Sequence, residues 1–163
     1  MKKWKLYILS CIWSPLLAAQ IVLVFIFGMV NEVGLDIVMY IGLVIWGISF
    51  IFGWLPILVF KRKGGVPKGK SFVHTTVLVD SGLYSIVRHP QYTAGILFSL
   101  ALVLISQSWL ITAMGVIIIT LLYVDILMAD KLEVEKFGDD YKRYMKKVPG
   151  TNFILGIFRQ LRR

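Results

Sequence analysis

The 163-residue chain is 58% hydrophobic with a mean hydropathy of +0.78, more apolar surface than a soluble domain of this size needs. Its net charge of +9 comes with no nucleic-acid-binding motif, so we read the charge as the basic flanks of membrane helices and expect no nucleic-acid partner. A single cysteine, Cys11, excludes an internal disulfide and any multi-cysteine metal site.

Lys2, Lys3 and Lys5 precede an apolar block over residues 6–30. The block is too long for a signal peptide and lacks a small-x-small cleavage site, so it is read as a first membrane helix. Pro15 should kink it, and Ser14 with Ala18 offers a small-residue pair for close packing. A short loop with Glu32 and Asp36 and no base leads to a second span over residues 37–60. Gly42, Gly47, Ser49 and Gly53 supply small residues there, Trp46 and Trp54 supply bulk, and Pro56 a second kink.

Lys61-Arg62-Lys63-Gly64-Gly65 ends that helix. The loop over residues 61–91 holds six bases and one acid. It far exceeds the usual helix–helix connection of about 2–8 residues, which suggests function or a fold of its own. Its β-branched run over residues 72–79 is expected to be extended or to lie at the interface. A shorter apolar block over 92–105, a turn at 106–108 and a block over 109–128 read as a helical hairpin. From Lys131 an amphipathic helix is expected, with Val134, Phe137, Tyr141, Tyr144 and Val148 on one face. Gly138 should weaken or break it, and Pro149-Gly150 should end it.

The fold class is therefore all-α integral membrane, a single domain over residues 1–163. It has about four spans, a hairpin, a cytoplasmic loop over 61–91 and a cytoplasmic tail over 129–163. The bases fall three before the first span, six in the long loop and nine in the tail, with none in the other two connections. Four spans put all of them on one side, which predicts cytoplasmic N- and C-termini.

The charged stretch before the third block carries the chemistry. Pro90 suits the first position of a helix, because its missing N–H is not needed there. The free N–H groups of such a helix start favour a carboxylate or phosphate. Gly95 permits close approach, and Tyr84 and Tyr92 offer ring surfaces. Arg88 suits lipid phosphate or another anion, and His89 suits a structural role as well as a functional one. Asp125, Asp130 and Glu133 on the next segment suit a cation or an amine. A ligand bearing both charge signs would fit the pair.

Gly82-x-Tyr84-x-x-x-Arg88-His89-Pro90-x-Tyr92 resembles the signature of the integral-membrane methyltransferase superfamily, which includes isoprenylcysteine carboxyl methyltransferases and phospholipid N-methyltransferases. The tail Phe137-Gly138-x-x-Tyr141-x-x-Tyr144, followed by Val148-Pro149, resembles it too. The resemblance covers roughly the second half of the chain. It implies S-adenosyl-L-methionine as cofactor, bound on the cytoplasmic side by Tyr84, His89, Pro90, Tyr92, Ala94, Gly95 and Asp130. It implies Arg88, Asp130 and Glu133 as catalytic candidates, no metal, and a lipid-like or amphiphilic acceptor reached from the bilayer. The sequence departs from the family pattern at Ala94, where glycine is usual, and at Ala129-Asp130, where two glutamates are usual. Thr76 stands where a histidine is common in the carboxyl methyltransferases. An NADPH-dependent membrane reductase relative and a non-catalytic protein retaining the fold are the alternatives. Oligomeric state is not legible in the sequence.

Overall fold

The computed structural model describes residues 4–65 and 76–162, and among these residues every regular element is helical. Helix α1 covers Trp4–Ile21 and runs into a π-helical turn, Val22–Ile26. Helix α2 covers Asp36–Lys63, α3 Pro90–Ser106 and α4 Trp109–Phe137. Two short helices, α5 (Asp139–Lys147) and α6 (Phe153–Leu161), complete the chain. A 3-10 turn at Gly82–Ser85 precedes α3.

Three of these helices are long and apolar enough to cross a membrane: α1 with its π turn, α2 and α4. The 17 residues of α3 reach about 25 Å, just short of a typical hydrocarbon core. Its shortness is offset at the end away from the basic loop, where the chain between α1 and α2 covers its last carbonyls. Asn31 N–H donates to Ile105 O at 2.8 Å and Glu32 N–H to Ser106 O at 3.0 Å. Gln107, at φ +56°, takes the left-handed conformation that ends helices and sends its amide to Asn31 and to the Leu35 carbonyl. The backbone groups that a short helix leaves at membrane depth are thus satisfied by protein.

Helix α3 starts at Pro90, the helix start expected from its missing N–H, two residues before the apolar block. One boundary differs from the sequence expectation. Helix α4 does not stop near residue 128: it runs unbroken to Phe137, because no breaker intervenes before Gly138, whose φ of +60° turns the chain. Asp130 and Glu133 therefore ride on the rigid end of a bundle helix. The apolar face expected in the tail survives that break. Tyr141, Tyr144 and Val148 are buried and pack with Val134 and Phe137 across it. Of the 72–79 run, residues 72–75 lie outside the described residues; Thr76–Val79 are non-helical, and Val79 is buried.

Helix α2 packs along α3 and α1 along α4. At the α2–α3 crossing a Cβ on Gly42 would sit 2.9 Å from Ile105 Cγ1 and 3.0 Å from both Ala101 O and Ile105 N. Two of these neighbours are backbone and cannot rotate away. Gly42→Ala is therefore expected to destabilise the bundle by about 1–3 kcal/mol, read from denaturant titration in detergent micelles; an unchanged midpoint would show that the two backbones have room to part. A polar link crosses the apolar core: buried Gln20 on α1 donates to Ile111 O at 3.0 Å and accepts from Ser99 Oγ at 2.9 Å.

Candidate active site

The charged end of the bundle gathers the start of α3, the end of α4 and the whole of α5. Arg88 and His89 lie just before α3, where the chain turns into the helix. Their backbone N–H groups donate to Pro149 O at 2.9 Å and Gly150 O at 3.0 Å, in the connector between α5 and α6. The connector thus lies across the motif, tied to it through two backbone hydrogen bonds. Helix α6 is held close by Gly156, where a Cβ would overlap the Ile86 carbonyl oxygen. Phe153, at the start of α6, packs on Phe52 of α2 with ring centroids 5.3 Å apart.

Asp130 is the hub. Its Oδ2 accepts from Arg88 Nη2 at 2.8 Å. Its Oδ1 lies 2.7 Å from His89 Nε2, accepts from Tyr141 OH at 2.7 Å and is reached by Arg88 Nε at 3.4 Å. The side chains of Arg88 and Asp130 are 10% and 11% exposed, so this is a nearly buried, forked ion pair. The remaining guanidinium nitrogen, Nη1, donates to the carbonyls of Met145 and Val148 at 3.1 and 2.5 Å. Arg88 therefore also serves the carbonyl-rich end of α5, where a cation is favoured. Burial, and the hydrogen bond given to the Asp130 carboxylate, push the Tyr141 phenol above the ordinary phenol range. It stays a neutral donor at any physiological pH.

The other predicted site residues divide by place. Pro90 is fully buried at the start of α3. Tyr92, half-buried, meets the His89 ring edge-on, with centroids 5.7 Å apart. Tyr84 is buried and stacks on Phe60 at 4.6 Å, and its carbonyl accepts from Tyr144 OH. Its ring is committed to packing, and burial keeps its phenol neutral as well. Glu133 is half-buried with no hydrogen bond or ion pair among the described residues, although its charge reaches Tyr141. Ala94 and Gly95 face elsewhere: they line an apolar groove of about 190 Å³ between α1, α2 and α3, with Leu17, Gly53, Trp54 and Phe98. Ala94 Cβ fits against Gly53, where an added Cβ would lie 3.6 Å away. Arg88, His89 and Asp130 are thus brought together, Tyr92 joins at the edge, and Tyr84, Ala94 and Gly95 stand outside the polar cluster.

The sequence did not mark the Pro149 and Gly150 carbonyls or Trp13. The Pro-Gly pair was legible as a helix stop, and Val148-Pro149 as part of the tail resemblance, but not as a source of carbonyls for the motif. Trp13 lies in the half of the chain where kink and packing residues, but no site residues, were readable.

With these residues in place, the comparison with known proteins is direct. Residues 37–138 match the family model described as phospholipid methyltransferase. The chain belongs to the phospholipid methyltransferase family. The matched region runs from the start of α2 through all of α3 and α4, and it contains the motif and its Asp130 partner. The Protein-S-isoprenylcysteine O-methyltransferase of Schizosaccharomyces pombe is 28% identical over 120 residues, 63% of this chain. The chain spans about half of that relative, whose length is matched to 51%. No solved structure matches. Within this phospholipid methyltransferase-family chain, Tyr141, Tyr144 and the Pro149–Gly150 connector lie beyond the matched region yet hold the motif in place.

Proposed function

We propose that the protein transfers the methyl group of S-adenosyl-L-methionine to a lipid-like or amphiphilic acceptor at the cytoplasmic face of the membrane. The observation that carries this reading is the joining of Arg88-His89 to Asp130 and Tyr141 at the basic end of the bundle, in a chain of this family. The residues present suit the cofactor. The first turn of α3 leaves the Gln91 and Tyr92 N–H groups without helical partners, which favours the cofactor's carboxylate. Glu133, without a partner among the described residues, suits its ammonium, and Tyr92 offers a ring to its adenine. When bound, the cofactor supplies an electrophilic methyl on a sulfonium.

The chain's own part is to hold and orient. His89 is fixed by Asp130, so Tyr92 is presented at a set angle. Arg88, with its donors spent on Asp130 and on two carbonyls, acts as a positioning residue that joins three segments. The apolar groove that includes Ala94 and Gly95 gives a hydrocarbon-bearing acceptor a path from the bilayer to the start of α3. Bringing donor and acceptor into line supplies much of the rate in such a transfer.

Calorimetric titration of the purified protein in micelles tests this reading. S-adenosyl-L-methionine should bind, NADPH should not, and Tyr92→Ala or His89→Ala should weaken the cofactor. A protein that ignores S-adenosyl-L-methionine, or binds it equally well in both variants, sinks the proposal.

A further inference from the structure

Asp125 stands apart from the Asp130 cluster. It precedes Asp130 by five positions on α4, about 140° round the helix, and its side chain is fully buried. One carboxylate oxygen, Oδ2, accepts a 2.7 Å hydrogen bond from the Trp13 indole on α1. The other, Oδ1, is buried without a hydrogen-bond partner among the described residues. An acid inside a membrane bundle is costly, and an unpaired oxygen on it costs more. Packing alone would be served by an apolar residue of similar volume. The free oxygen therefore marks a place for a ligand.

The surroundings say which kind. Trp13 precedes Leu17 by one turn on the same face of α1, and Tyr92 precedes Gly95 by one turn on the same face of α3. Leu17 and Gly95 line the apolar groove. A Cβ on Gly95 would lie 3.2 Å from Leu122 Cδ1; Asp125 follows Leu122 by about one turn on the antiparallel α4, which brings it to the level of Tyr92. Asp125, bonded to Trp13, thus lies about one helical turn beyond the groove's lining, on the side of Trp13 and Tyr92. A hydrocarbon chain lying in the groove would bring its head group to the free oxygen, which accepts hydrogen bonds and favours positive charge.

We propose that Asp125 holds the ammonium of a lipid amine acceptor and takes a proton from it during methyl transfer. The inference rests on the methyl-transfer reading above. The ammonium gives one proton to Oδ1, which becomes the O–H of a neutral carboxyl. The freed nitrogen lone pair then forms the new N–C bond. As it does so the C–S bond of the sulfonium donor breaks, and its electron pair stays on sulfur as a thioether. A carboxylate acceptor would need no such proton acceptor and would be repelled by this one. Asp125 is therefore a specificity-determining residue for amines.

The test uses tetradecylamine and tetradecanoate as probes, titrated by calorimetry into the full chain in nonionic micelles. Wild type should bind the amine more tightly than the acid. Asp125→Asn keeps an acceptor for Trp13 and nearly the same volume. It should weaken the amine roughly tenfold or more, tighten tetradecanoate by removing the repulsion, and leave S-adenosyl-L-methionine unchanged. Equal effects on both probes, no effect, or a loss of S-adenosyl-L-methionine binding in its place would overturn the assignment. Asp125→Leu combined with Trp13→Phe, which removes both ends of the 2.7 Å hydrogen bond, guards against a merely structural role: the melting temperature of the pair should match or exceed wild type while amine binding is lost. A lower melting temperature with amine binding intact would assign Asp125 to structure. The two readings fail separately. A wild type that binds S-adenosyl-L-methionine without preferring the amine overturns the Asp125 assignment alone. One that prefers the amine but ignores S-adenosyl-L-methionine overturns the methyl-transfer reading and leaves the ammonium site standing.

Discussion

Asp130→Ala is expected to destabilise the protein by about 3–5 kcal/mol and to abolish S-adenosyl-L-methionine binding. The substitution removes the acceptor shared by Arg88, His89 and Tyr141 and leaves a nearly buried guanidinium without its counter-ion. The loss is larger than the pair's own net contribution, because much of it is the cost of the stranded charge. A thermodynamic cycle separates the two. Arg88→Met combined with Asp130→Leu removes both charges and should recover a large part of the stability, since apolar pairs often replace buried ion pairs at little cost. It should not recover cofactor binding, because His89 would lack its Asp130 partner and the Met145 and Val148 carbonyls would lose the Arg88 guanidinium. Denaturant titration of the two single variants and the double variant in micelles gives the stability terms, and calorimetry gives the binding. If Asp130→Ala stays within about 0.5 kcal/mol of wild type, the cluster has no more weight than an ordinary surface site.

The second large effect lies 26 positions further along, at Gly156, a buried glycine on the inner face of α6. A Cβ there would overlap the Ile86 carbonyl oxygen, with the carbonyl carbon at 2.8 Å and Ile86 Cγ2 at 3.0 Å. The obstacle is backbone on both sides, so no rotamer relieves it. Gly156→Ala should push α6 away, loosen the Phe153–Phe52 contact and draw the Pro149 and Gly150 carbonyls off the Arg88 and His89 N–H groups. The expected cost is about 1–3 kcal/mol, with faster proteolysis in the connector between α5 and α6. Gly47→Ala is the control. A Cβ at Gly47 meets nothing within 4 Å, and the backbone there is ordinary helix, so stability should not fall. Equal behaviour of the two variants would show that the α6 contact does not hold the connector.

The sequence indicated the spans well because hydropathy and basic residues report on the bilayer directly. It placed the end of α4 poorly because polarity marks where the membrane stops, not where the helix stops. Lys131 to Phe137 contains no residue that breaks a helix, and Gly138 was the visible terminator. The motif residues were also legible, but their commitments were not. Arg88 suited an anion and Asp130 a cation, and the fold pairs them with one another. Tyr84 read as a ring free for a ligand, yet Phe60 occupies its face. Asp125 and Asp130 looked alike as acids at one helix exit. Five positions of helical rotation separate them into two environments, one with an unpaired oxygen and the other fully bonded. Such saturation depends on partners distant in the chain, and spacing along one segment does not encode it.

The connector across Arg88 and His89 also bears on the order in which the molecule is assembled. Helices α1 to α4 can enter the bilayer one after another as they are synthesised. Arg88 then waits beside Asp130 until Met145, Val148, Pro149 and Gly150 emerge and offer their carbonyls. Segments made later thus lock a motif made some sixty residues earlier. A partly synthesised chain can sit in the membrane with every span in place and still lack the backbone that holds its site. On this geometry, competence arrives only after bundle insertion, in one late step that takes place at the membrane surface.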